Sequence, residues 1–154
     1  MSFLDPFRGE QIDWRDGRPV WKTLAPLRYR SVVYGELVIP AEFITDLASV
    51  PRAPFTFWLA GGRGTRSAVL HDMAYQFGYW LKDGSGRVYV RKDEADAVFY
   101  ESLSADPISG ATGWIARLMY GAVRFGGQGI WRAKARTVAL NPVWSATGIT
   151  QVES

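Results

Sequence analysis

The chain has 154 residues, of which 47% are hydrophobic and 21% charged, and its 18 Lys and Arg against 15 Asp and Glu leave a formal net charge of +3. That length suits one domain, the composition suits a packed core rather than disorder, and so small a basic excess gives no reason to expect a nucleic-acid partner. Cysteine is absent and His71 is the lone histidine, which excludes disulfide scaffolds, thiolate nucleophiles, sulfur-bound zinc and any metal site needing two histidines from one chain.

The longest apolar run, Phe55 to Ala60, is broken by Thr56 and is far short of the ~20 residues that span a bilayer, so no transmembrane segment is expected. The start, Met1-Ser2-Phe3-Leu4-Asp5-Pro6, lacks a basic region followed by an apolar stretch and does not read as a signal peptide. Arginine outnumbers lysine 14 to 4, which favours fixed bidentate contacts over solvated charge.

In chain order, Gln11 to Trp14 and Pro19 to Leu24 read as a hairpin around Asp16-Gly17, a strong turn signal. Leu27 to Tyr34 and Glu36 to Thr45 form a second pair around Gly35. Tyr29, Val33, Leu37 and Ile39 are expected on one face, with Arg28, Arg30 and Glu36 opposite. Pro40 marks an edge or a bulge.

Helices follow. Arg66 to Trp80 carries Val69, Met73, Phe77 and Trp80 at helical spacing, with Thr65 or Ser67 as its cap. After a turn at Lys82 to Gly86, Arg87 to Val90 is a short strand. Lys92 to Leu103 and about Thr112 to Phe125 are two further helices, and Gly126-Gly127 closes the last. Strands first and helices after predict an α+β fold: antiparallel hairpins, about three helices, and an extended C-terminal arm. Residues 1–127 are expected to form the domain.

The arm, 128–154, is aperiodic and starts with basic residues, Arg132, Lys134 and Arg136. Trp131, Arg132 and Trp144 are of the types that anchor protein interfaces. They are the interaction candidates, although closure of the domain's own core by such a tail is equally open.

On the helix at 66–80, His71 and Tyr75 lie four apart on one face, while Asp72 points about 100° away. Asp96 sits on the stripe of Phe99 and Leu103 in the next helix, where an apolar residue would be expected. A buried aspartate needs a partner, and His71 or Arg52 would supply one. Such a pair is either a structural core contact or the dyad of a general base. Asp46 and Ser49, in the loop between strands and helices, complete a possible acid–base set or form a local cap. Leu59 to Thr65 is glycine-rich but lacks the Walker spacing and reads as a connector.

Four blocks together carry a resemblance: Val38 to Arg52 with its Thr-Asp-Leu-Ala-Ser-Val-Pro-Arg, Ala68 to Tyr75 with His-Asp-Met-Ala-Tyr, Ala95 to Phe99, and Met119 to Gly127. They resemble a domain-of-unknown-function family encoded mainly by tailed bacteriophages and prophages. One departure is Glu42, where that family usually has glycine. The resemblance implies a phage origin and a place among late genes for tails or lysis, and the first expectation drawn from it is a virion-associated protein of tail or particle assembly. Its partners would be other phage virion proteins in multiple copies. It would be found in the host cytoplasm during synthesis and then in the virion.

A shorter pattern, His71-Asp72-x-x-Tyr75 followed by Asp96, is similar to the secreted and parvoviral phospholipases of the His-Asp type. That resemblance implies an alternative, a hydrolase acting on lipid or cell envelope. His71 would be its base, Asp96 the residue orienting it, Tyr75 the support of the dyad and Asp72 a calcium ligand. Outside that alternative no cofactor is expected.

Overall fold

The computed structural model describes residues 1–47, 64–82, 86–106 and 113–126. Its strands are β1 (Ser2–Phe3), β2 (Gly9–Arg15), β3 (Arg18–Thr23), β4 (Leu27–Ser31), β5 (Gly35–Ile39), β6 (Ile44–Thr45), β7 (Tyr79–Lys82) and β8 (Arg87–Tyr89). Its helices are α1 (Thr65–Phe77), α2 (Lys92–Ala105) and α3 (Gly113–Gly126). The fold is α+β, with one antiparallel sheet ordered β1-β4-β5-β7-β8 and a smaller one ordered β2-β3-β6.

The Asp16-Gly17 turn closes β2 onto β3 as expected. Both residues have positive φ, 49° and 69°, the conformation that turns of this kind require. In β4 the alternation is complete: Leu27, Tyr29 and Ser31 are buried while Arg28 and Arg30 face out. With Leu37 and Ile39 of β5 they make the sheet's inner face, against Val69, Leu70 and Met73 of α1. Val33 does not join them. The strand ends at Ser31, whose Oγ accepts the Val33 and Tyr34 amides, and the turn leaves Val33 exposed.

The expected continuous strand from Glu36 to Thr45 is two strands in two different sheets. Pro40 breaks the run, and Thr23 pins the bend. Its hydroxyl donates to the Pro40 carbonyl at 2.8 Å and accepts the Phe43 amide at 2.9 Å. Glu42 turns the corner with φ 66°, a left-handed conformation that glycine adopts without cost.

The first helix is shorter than its apolar spacing predicts. Gly78, at φ 75°, caps it and its amide closes onto Ala74 O, so Trp80 lies on β7 rather than on the helix. The Trp80 indole N–H donates to Leu70 O at 2.7 Å, which seals the strand against α1. At the other end the cap residue is Gly64 and no side chain caps the helix. The strand at β1 was not legible. It pairs Phe3 with Tyr29, and the Arg66 guanidinium covers the Phe3 ring at 4.7 Å. The proposed arm at 128–154, and with it Trp131, Arg132 and Trp144, lies outside the described residues, as do Ser49 and Arg52.

Candidate functional site

Every residue of α1 from Ser67 to Gln76 is buried, because the helix runs between the large sheet and the other two helices. Burial on all sides obliges its polar residues to find partners, since each unpaired group would cost about 1–3 kcal/mol. Four of them find partners on two neighbouring faces, while the buried Ser67 hydroxyl has none among the described residues. His71 and Tyr75 turn towards α2, while Asp72 and Gln76, one helical step on, turn towards β6.

Asp96 is the focus of the first face. Its Oδ1 lies 2.8 Å from His71 Nε2 and accepts the Tyr75 hydroxyl at 2.7 Å. Its Oδ2 accepts Lys92 Nζ at 2.8 Å and faces Arg124 Nη1 at 3.4 Å. Lys92 and Asp96 stand i and i+4 on α2, a helical pairing distance. Lys92 also donates to Val123 O and Arg124 O, both at 3.0 Å, so its ammonium caps the C-terminal end of α3 as a cation should. Three helices therefore meet on one carboxylate.

Burial works to raise the Asp96 pKa, and the hydrogen bonds from His71, Lys92 and Tyr75 outweigh it, bringing it down to about 2. Burial lowers the pKa of His71, against the opposing pull of Asp96. Burial and the neighbouring Asp96 both hold the Tyr75 phenol protonated. Asp96 thus carries the charge, balanced by Lys92 and Arg124, while His71 is a neutral donor. The His71 ring packs against Tyr75 and Phe99, with centroids 4.1 and 4.7 Å away. None of His71, Tyr75 or Asp96 has solvent-accessible surface.

On the second face, Asp72 Oδ2 accepts the Thr45 hydroxyl and, at 2.8 Å, the Gln76 amide. Gln76 also donates to Ile44 O at 3.1 Å. These bonds fasten α1 to β6. Among the described residues no group of three His, Asp or Glu is placed to hold a metal. Calcium takes 6–8 oxygen ligands, and among the described residues Asp72 Oδ2 is engaged by the Thr45 hydroxyl and the Gln76 amide.

The structure brings together three of the four catalytic candidates, His71, Tyr75 and Asp96. Asp46 is half-buried just after β6 and contributes none of the hydrogen bonds at Asp96. Lys92, Arg124, Thr45 and Gln76 belong to the two faces and were not singled out. The i, i+4 spacing of Lys92 and Asp96 could have marked the first of these. A separate cleft of about 410 Å³ is lined by Asp5, Pro6, Arg8, Ala25, Pro26, Arg28 and Val38 and includes none of these residues.

The sequence profile of a family described as "Protein of unknown function (DUF1353)" matches residues 21–123, about two-thirds of the chain. That span runs from β3 to α3 and contains every residue of both hydrogen-bonded faces except Arg124. No curated protein and no solved structure matches the chain. Among the described residues, no helix is long and apolar enough to cross a membrane.

Proposed function

Because the chain belongs to the family of proteins of unknown function designated DUF1353, which assigns no activity, we propose from the molecule's own chemistry that it is a bacteriophage virion-associated protein working through protein contacts. The observation that carries this reading is the contrast between centre and surface. The polar centre is closed and charge-balanced, whereas Trp114, Leu118 and Phe125 of α3, Trp14 of β2, and Val32 and Val33 stand exposed. Three of these, Trp114, Leu118 and Phe125, share one helix; contiguous exposed apolar patches mark interaction sites, and aromatic residues anchor them. The resemblance of the four sequence blocks to a phage-encoded family supports the particle as the setting.

The test is mass spectrometry of phage particles purified from lysates of a host carrying the encoding prophage. The expected result is a fixed stoichiometry relative to the tail or head proteins that survives repeated density-gradient purification. Its loss during purification would overturn the reading.

A second reading is favoured by one observation: Asp96 Oδ1 receives both His71 Nε2 and the Tyr75 hydroxyl, the arrangement that the His-Asp phospholipase resemblance implies. As a hydrolase the chain would use His71 to take a proton from water, with Asp96 fixing the ring. Release of fatty acid from phospholipid vesicles, abolished by His71→Gln, would establish it. No release with or without calcium would remove it.

A further inference from the structure

One helix face is unlike the rest of the surface. α3 buries Ala116, Met119 and Val123 against Ala68, Phe99 and Leu103. Its opposite side presents Trp114 (68% exposed), Leu118 (49%) and Phe125 (90%) to solvent. At about 100° per residue, Trp114, Gly121 and Phe125 fall on one line along the middle of that side, with Arg117 and Leu118 flanking it. Three of the molecule's exposed large apolar residues are thus collected on one helix.

Gly121 sits at the centre of this line, and among the described residues nothing explains it. A Cβ built there meets no atom within 4 Å, so alanine would fit. Alanine would also be favoured by about 1 kcal/mol inside a helix. Glycine at such a place suits close approach of another backbone. The residues around it are self-complementary. When two copies of the helix lie antiparallel with Gly121 on the two-fold axis, each residue at 121 + n faces the partner's residue at 121 − n. Arg117 then faces Phe125 of the other copy, and Phe125 faces Arg117, giving two guanidinium–aromatic contacts of the kind that attract. The helix carries Arg117 and Arg124 and no acidic residue, so an ion pair across the axis is not available to it, whereas this stacking is.

We propose that the outward face of α3 is a self-association surface on which a second copy of this chain docks, helix against antiparallel helix, about a two-fold axis at Gly121. The contact is isologous, the commonest arrangement for a homodimer. A helix of 14 residues is about 21 Å long, so the buried area lies at the small end of specific interfaces and the dimer is reversible. The inference does not depend on the chain being a virion component.

Sedimentation velocity on the full chain over a concentration series tests it first. The expected result is a monomer–dimer equilibrium whose dissociation constant rises on the order of tenfold or more in Phe125→Ala, as for loss of an aromatic anchor. Arg117→Glu is expected to weaken it as well. Because the chain has no cysteine, a single Gly121→Cys gives a direct geometric readout. Mild oxidation should link two copies through residue 121 much faster than in Val33→Cys, an exposed control in the turn after β4. All three altered α3 positions lie away from the buried face of the helix, so circular dichroism should be unchanged and the melting temperature should not fall.

A chain that stays monomeric at every concentration overturns the proposal. So does crosslinking no faster than at Val33, or a dimer indifferent to Phe125→Ala. Binding of monomers to anionic phospholipid vesicles, lost in Phe125→Ala, would also overturn it by assigning the face to lipid.

Discussion

Asp96, in the helical half, is enclosed by polar groups from three helices, whereas on the β2–β3 hairpin Asp13 and Arg15 pair with each other in open solvent at 2.8 Å. Both are carboxylates beside cations, and the difference between them is water. On the hairpin, water competes for each charge and the pair contributes little. At Asp96 it is excluded, so every donor around the carboxylate is needed and the loss of one strands the others. The helical half therefore depends on a few residues acting together. The hairpin depends on its Asp-Gly turn and on register.

The sharpest way to break that contrast is Asp96→Ala. It leaves Lys92 and His71 buried without their acceptor and should lower the unfolding free energy by about 3–5 kcal/mol, measured by chemical denaturation. Lys92→Met, which keeps the aliphatic stem but removes the charge and the cap on α3, should cost less on its own. The two effects should be strongly non-additive in the double variant.

Acid sharpens the same contrast. His71 has its pKa lowered on folding, so below its ordinary value near 6.5 the unfolded chain takes up a proton that the folded chain refuses. Stability should hold above that pH and fall by up to about 1.4 kcal/mol per pH unit below it. Asp96, brought down to about 2 from an ordinary 3.8, adds to the loss in the same direction. Its contribution is intact above 3.8 and disappears as pH falls towards 2. Denaturation midpoints across this range check both. An unchanged midpoint from pH 7 to 5 would contradict the first.

Smaller effects belong to the strand half. Glu42→Gly relieves a left-handed residue and should raise stability by up to about 1 kcal/mol, the strain saved less the entropy of the freer unfolded chain. Asp13→Ala should leave the unfolding midpoint where it is, since water replaces the exposed carboxylate. A clear drop there would show that the hairpin is held by its charges after all.

How legible the molecule was in its sequence follows the same division. The Asp16-Gly17 hairpin and the alternating inner face of β4 could be read because their signals are local. Asp96 stood out because an aspartate on an apolar stripe has to be paired. The end of α1 was misread because Trp80 continues the helical spacing of Val69, Met73 and Phe77, and only the left-handed Gly78 stops it. Glu36 to Thr45 was misread as one strand because the hydroxyl that bends it belongs to Thr23, on another strand. Arg124 and Thr45 were missed at the site because their role exists only once α3 and β6 have packed. Glu42 connects the two: the resemblance puts glycine at this turn, and the φ of 66° is a left-handed conformation that glycine adopts without strain.

On the proposed reading, the His71 centre is sealed and structural, and the molecule works through its surface. As the chain has one histidine, nitrogen-15 NMR of the folded protein reads that centre without overlap. The account predicts a single neutral tautomer, Nε2 protonated towards Asp96, that does not titrate between pH 8 and the onset of acid unfolding. An imidazole that gains its proton near pH 6.5 or above while the fold remains intact would mean that water and charge reach His71, and would contradict it.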